Sequence, residues 1–131
     1  MAVVIFFEKP GCGGNVRQKA LLVASGHQVE ARSLLDEPWN AEELRRYFGP
    51  RPVEAWFNQA SPRIKSGKID PSRLTESEAL KLMIADPLLI RRPLMRVGER
   101  REAGFERELV DAWIGLTQTE NPVGEACIRS A

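Results

Sequence analysis

One cysteine near the start of the chain has the setting of a nucleophile. Cys12 follows the apolar run Ala2-Val3-Val4-Ile5-Phe6-Phe7 and the short connection Glu8-Lys9-Pro10-Gly11. It precedes a helical pattern that begins around Gly13-Gly14-Asn15. The thiol is therefore expected on a strand-to-helix turn, where unsatisfied N–H groups and the positive end of the helix dipole favour an anion. A cysteine so placed tends to have a lowered pKa and to act as a nucleophile. The competing reading is a buried cysteine serving as a small apolar side chain. Flanking glycines, where a core would place aliphatic residues, favour the reactive reading. Arg17 and Lys19 lie one to two turns into the helix and read as ordinary exposed charges, although they could raise the potential at Cys12. Lys9 precedes the loop and could face the thiol.

Other chemistry is sparse. The chain has two cysteines, Cys12 and Cys127, near opposite ends. That is no disulfide framework and points to a reducing, cytoplasmic setting. Cys127 could fold back to resolve a mixed disulfide on Cys12, but reads more simply as an incidental tail cysteine. The single histidine, His27, directly follows Gly26, the glycine that should stop the first helix, and reads as a cap or surface residue. One histidine and two distant cysteines argue against a built-in zinc or iron–sulfur site, so no bound metal or cofactor is expected. No P-loop, dinucleotide fingerprint or Ser-His-Asp set is present. A formal net charge of +1 argues against direct nucleic-acid or membrane binding. The N-terminal apolar run is too short for a signal peptide, and no stretch is long enough to span a bilayer. With 131 residues, 43% apolar and 28% charged, one ordinary domain is expected.

The elements that must position Cys12 follow from periodicity. Residues 2–7 read as a strand buried on both faces, because the apolar run is continuous. Residues 15–25 read as a helix whose apolar face holds Val16, Lys19-Ala20, Val23 and neighbouring leucines. Residues 28–33 alternate, with Val29 and Ala31 on one side, and read as a second strand. A strand–helix–strand unit implies a parallel pair with a right-handed crossover. A helical insert follows over about residues 40–88: a helix opened by Asn40, a short helix from Pro52 to Phe57, loops over 58–73, and a helix begun by the capping box Thr75-Glu76-Ser77-Glu78 and ended by Asp86-Pro87. Leu94 to Val97 and Arg100 to Ala103 read as paired strands, and Phe105 to Leu116 as an amphipathic helix. Residues 117–131 lack periodicity and read as a flexible tail beyond a 1–116 domain. Trp39, Trp56-Phe57 and Trp113 read as packing residues. Arg91, Arg92, Arg96, Arg100 and Arg101 form a basic cluster, which on a sheet edge reads mainly as solvated charge that blunts edge pairing.

The order βαβ, helical block, ββα is the thioredoxin arrangement, an α/β fold with an insert between its halves. Phe6-Phe7-Glu8-Lys9-Pro10-Gly11-Cys12, with Arg17-Gln18-Lys19-Ala20-Leu21-Leu22 behind it, resembles the arsenate reductase/Spx (ArsC) family. Leu89-Ile90-Arg91-Arg92-Pro93-Leu94 and Gly104-Phe105 resemble the same family's second half. Within the family the chain is most similar to the nitrogenase-associated (NifO-like) branch. The resemblance implies that Cys12 is the catalytic cysteine, and that Arg92 precedes a cis-proline at Pro93. An arginine there can pair with an oxyanion or stabilise a thiolate. Gly13 and Gly14 would let backbone N–H groups approach an oxyanion closely. Asn15 stands where redox-switch members carry a second cysteine and reductases a serine. Glu54 stands near a reductase arginine, and Ala103-Gly104-Phe105 where another is expected. Arsenate reduction is therefore disfavoured. The expected function is a single-cysteine thiol oxidoreductase site, with any disulfide formed with glutathione, assisted by glutaredoxin, or with a partner thiol. The alternative is a non-catalytic thioredoxin-fold module docking on a nitrogen-fixation partner.

Overall fold

The computed structural model describes residues 1–117. The expected tail beyond Thr117, with Cys127, lies outside the described residues. Four strands form one sheet in the order β2-β1-β3-β4. β1 (Val3–Glu8) pairs in parallel with β2 (Gln28–Ser33), with α1 (Gly13–Ala24) between them. β3 (Leu94–Val97) runs antiparallel to β1, and β4 (Arg100–Ala103) antiparallel to β3. α5 (Arg107–Ile114) closes the described chain.

The continuous apolar run of β1 is explained by cover on both faces. Val4 and Phe6 join Met95, Leu21, Leu22, Phe105 and Val110 in one apolar cluster under α1 and α5. Phe7 and Leu94 join a second cluster built mostly from the insert, with Trp39, Tyr47, Phe48 and Trp56. Side-chain alternation along the strand sends its even positions to one cluster and its odd ones to the other.

The insert contains α2 (Ala41–Arg46), a 3-10 turn at Val53–Trp56, α3 (Pro62–Lys65) and α4 (Glu76–Ala85). Asn40 caps α2 through the Glu43 N–H, and Thr75 with Glu78 forms the expected reciprocal capping box on α4. Residues 58–73, expected as loop, hold one turn of helix with Pro62 at its first position and a second 3-10 turn at Pro71–Arg73. A proline can open a helical turn because its missing N–H would be unsatisfied there anyway.

Two expectations are corrected. The buried face of α1 carries Gly14, Asn15, Gln18, Leu21 and Leu22, whereas Val16 and Val23 are exposed. Asn15 and Gln18 go inside because they satisfy each other and the loop, and the helix rotates accordingly. The edge strand β2 keeps its expected bounds, with Val29 half-buried against the cluster under α1 and Ala31 exposed. His27 is also no surface residue. It is buried, accepts the Ala2 N–H at Nδ1 (3.0 Å) and donates from Nε2 to the Gly115 carbonyl (2.7 Å). It ties the chain's start and the end of α1 to the end of α5.

Candidate functional site

The Cys12 turn is made by its own backbone. Gly11 adopts φ +84°, a left-handed conformation that glycine takes without strain. The Cys12 N–H then donates to the Lys9 carbonyl at 3.1 Å. Cys12 has extended φ and ψ and is the N-cap residue of α1; its carbonyl accepts the Val16 N–H at 3.1 Å. The N–H groups of Gly13, Gly14 and Asn15, in the first turn, precede that first intrahelical bond and sit at the positive end of the helix dipole.

Asn15 stitches the turn from below. Its Oδ1 accepts the Lys9 N–H at 3.1 Å, and its Nδ2 donates to Gln18 Oε1 at 2.9 Å. Asn15 and Gln18 are both fully buried. The position where the family resemblance led to the expectation of a second cysteine or a serine thus carries a polar clamp. Cys12 itself is 2% exposed, yet belongs to neither apolar cluster. It is disulfide-bonded in this structure; the chain's other cysteine, Cys127, lies outside the described residues.

The sheet register brings the second expected segment to the same end. Phe7 pairs with Leu94, so the chain leaving β1 toward Cys12 and the chain entering β3 from Arg92-Pro93 meet there. The Arg92–Pro93 peptide bond is cis, and the Pro93 carbonyl accepts the Gly104 N–H at 2.8 Å. Arg92 is half-buried. Its Nε is buried without a hydrogen-bond partner, and its side chain has no ion pair among the described residues. Burial pushes its pKa below the usual guanidinium value.

The neighbouring arginines differ. Arg51 pairs with Glu102 (3.1 Å) and Glu106 (3.8 Å), and Arg91 pairs with Glu106 (3.2 Å). Arg101 is not the solvated edge charge expected: its side chain is 7% exposed and donates from Nε to Glu43 at 2.7 Å. Arg100 pairs with Glu102 and lies over the Trp113 ring. Sequence reasoning missed these pairings because the acids come from the insert and from β4 and α5, up to 58 residues away. Of the other candidates, Arg17 is exposed, Lys9 is half-buried, and Lys19 is held by Glu8 at 2.7 Å. Lys19 is thereby removed as a free charge near Cys12. Glu54 is exposed. Among the described residues no group of three or more His, Cys, Asp or Glu could hold a metal ion, and no helix is long and apolar enough to cross a membrane.

The profile of the ArsC family matches residues 15–113. The chain belongs to the ArsC family. An uncharacterized 15.7 kDa protein in the draG 3′ region of Rhodospirillum rubrum is 58% identical over 131 residues, covering 100% of this chain and 92% of that one. The global transcriptional regulator Spx of Streptococcus agalactiae is 26% identical over 132 residues, covering 98% and 95%. Among solved structures, an arsenate reductase from Vibrio cholerae superposes with TM-score 0.69 at 24% identity, covering 83% and 95%. A putative ArsC family related protein from Bacteroides fragilis gives 0.73 at 24% identity, covering 83% and 97%. At such identity the structural likeness establishes the fold, which is thioredoxin-like. The family profile begins at Asn15 and so does not include Cys12.

Proposed function

We propose that this protein is a thiol oxidoreductase whose nucleophile is Cys12, working in the cytoplasm in exchange with glutathione or a partner thiol. The observation that carries the reading is the seat of Cys12: the N-cap of α1, at the sheet end where the uncompensated Arg92 enters β3. In the reduced protein, helix N–H groups and the guanidinium would stabilise a thiolate. The thiolate attacks one sulfur of glutathione disulfide, the old S–S bond breaks, and one glutathione thiolate leaves. Glutaredoxin-type chemistry reverses the step. Arsenate is the weaker substrate, because Glu54 and residues 103–105 stand where reductases are expected to carry arginines, and Arg51 and Arg91 are already engaged in ion pairs. A nitrogen-fixation setting is proposed from the family branch and from the Rhodospirillum relative's place in the draG region, a nitrogenase-regulation locus.

The test is the rate of glutathione incorporation into reduced protein. Cys12→Ser should abolish modification at this site, and Arg92→Ala should slow it about tenfold, the equivalent of roughly one pKa unit. A rate in the wild type no faster than that of free glutathione would refute the reading. A docking module is the second reading, favoured by the loss of the reductase arginines. It predicts that Cys12→Ser leaves function under nitrogen-fixing conditions intact.

A further inference from the structure

β2 is an edge strand: among the described residues it pairs with β1 on one side and with no strand on the other. The N–H groups of Gln28 and of Leu34, just past the strand, point to β1 and donate to the Ala2 (2.9 Å) and Glu8 (2.7 Å) carbonyls. Backbone groups alternate along a strand, so the N–H groups of Val29, Ala31 and Ser33 face outward. β2 has no proline or lysine to blunt that edge. Val29 and Ala31 also line an open apolar groove with Ala20, Val23 and Ala24 of α1. Val23 is 60% exposed, and Val16, on the same stripe of the helix, 55%. A contiguous apolar surface of this kind, rimmed by polar residues, marks a contact face.

The charges on the strand point to the partner. Glu30 and Arg32 lie on the face opposite Val29 and Ala31, both are exposed, and they pair with each other at 2.9 Å. Consider a second β2 laid antiparallel along the free edge with like faces aligned. Centring the pair on Glu30 or on Arg32 sets like charges opposite each other. Centring it on Ala31 sets Glu30 opposite Arg32 of the second copy, and Arg32 opposite its Glu30. The same register faces Ala31 with its own copy and Val29 with Ser33, all with outward N–H groups.

We propose that the β2 edge and its groove form a two-fold interface with a second copy of this chain. One sheet then runs through both copies, and the two grooves come together over the same face of it. The small side chains of Ala20 and Ala24 allow close approach there. Exposed ion pairs contribute little by themselves. Main-chain hydrogen bonds and the apolar groove therefore supply the affinity, while Glu30 and Arg32 fix the register. The inference makes no use of Cys12 and stands apart from its chemistry.

The test is sedimentation equilibrium of the full chain, kept reduced so that no intermolecular disulfide contributes, at concentrations up to about 1 mM, where even a weak pair forms. Wild type should show a monomer–dimer equilibrium. Val23→Glu, at an exposed position, should weaken it at least about tenfold, by placing a charge in the contact. Glu30→Arg and Arg32→Glu should each weaken it by setting like charges opposite. Mixing those two variants, or combining both changes in one chain, should restore association, which separates a lost contact from a misfolded chain. Register is read by Ala31→Cys in a chain whose native cysteines are replaced by serine. Directly opposite residues of such a pair lie about 5.5 Å apart at Cα, within disulfide range, so mild oxidation should link two copies on a non-reducing gel. Glu30→Cys, offset from its own copy, should not link. A chain that stays monomeric throughout would overturn the proposal and leave the groove to a different occupant. A dimer indifferent to Val23→Glu and Glu30→Arg, or one that Ala31→Cys fails to link, would overturn it by placing the contact elsewhere.

Discussion

Replacing Asn15 by alanine removes a side chain that holds the Cys12 turn to its helix. The substitution takes away the acceptor of the Lys9 N–H and the donor to Gln18 Oε1, at a fully buried position. A buried donor left unsatisfied costs about 1–3 kcal/mol, and a lost buried hydrogen bond about 1 kcal/mol. Alanine's better helix propensity offsets about 0.5 kcal/mol. The net loss should be about 2–3 kcal/mol. For a domain of this size that corresponds to a fall in Tm of about 6–12 °C, read by circular dichroism under reducing conditions. Arg17→Ala, on the exposed side of the same helix, is the control and should stay within about 0.5 kcal/mol. If Asn15→Ala melts within about 2 °C of wild type, the amide clamp does not hold the turn, and the account of why α1 buries its polar residues fails with it.

Three further outcomes follow from local geometry. Tyr47 is buried in the aromatic group with Phe7 and Trp39, and burial, with Glu43 adding to it, pushes its pKa up to about 12. The native state then keeps a proton that the unfolded chain releases near pH 10, so stability present below pH 10 should fall by about 2 kcal/mol as pH rises from 10 to 12. Tyr47→Phe should flatten that part of a stability-versus-pH curve. His27→Ala leaves the Ala2 N–H and the Gly115 carbonyl without their bridge and should cost about 2 kcal/mol; hydrogen exchange at the start of β1 and the end of α5 should accelerate together. Gly11→Ala meets no atom within 4 Å of its new Cβ, so its cost of about 1 kcal/mol should come from the positive φ alone, and denaturant melting should show no larger loss.

Strands and helices of this chain were legible wherever the pattern was local. β2, β3 and β4 span the residues their alternation and turn signals indicate, and the capping box at Thr75 marks α4 correctly. The turn carrying Cys12 was legible too, since a buried run, a glycine and a helix start suffice to define it. What was not legible depended on partners distant in sequence. α1 appears to periodicity as a helix with valines inward, but Asn15 and Gln18 can be inside only because the Lys9 loop offers an N–H, and a helical wheel does not contain that loop. His27 reads as a surface cap until the end of α5 arrives beside it. Arg101 reads as an edge charge until Glu43 of the insert meets it.

The same distinction bears on the chemistry. A row of arginines near a cysteine looks like one basic patch in sequence, but a field at a thiol depends on which of them are already neutralised. Arg51, Arg91, Arg100 and Arg101 each have a carboxylate within 4 Å; Arg51, Arg91 and Arg100 share Glu102 and Glu106, so most but not all of their charge is offset. Arg92 has none among the described residues, and its buried Nε lacks any acceptor. A half-buried guanidinium whose buried Nε lacks an acceptor is costly unless an anion comes to it. On the proposed reading, Arg92 and the N-terminus of α1 would together offset about one negative charge, the charge of a thiolate. Arsenate, as a multiply charged oxyanion, calls for more positive charge than Arg92 alone supplies. A direct comparison of arsenate and glutathione disulfide as competitors for reduced Cys12 should therefore show protection only by the disulfide; protection by arsenate at comparable concentration would mean that paired arginines swing free to meet it.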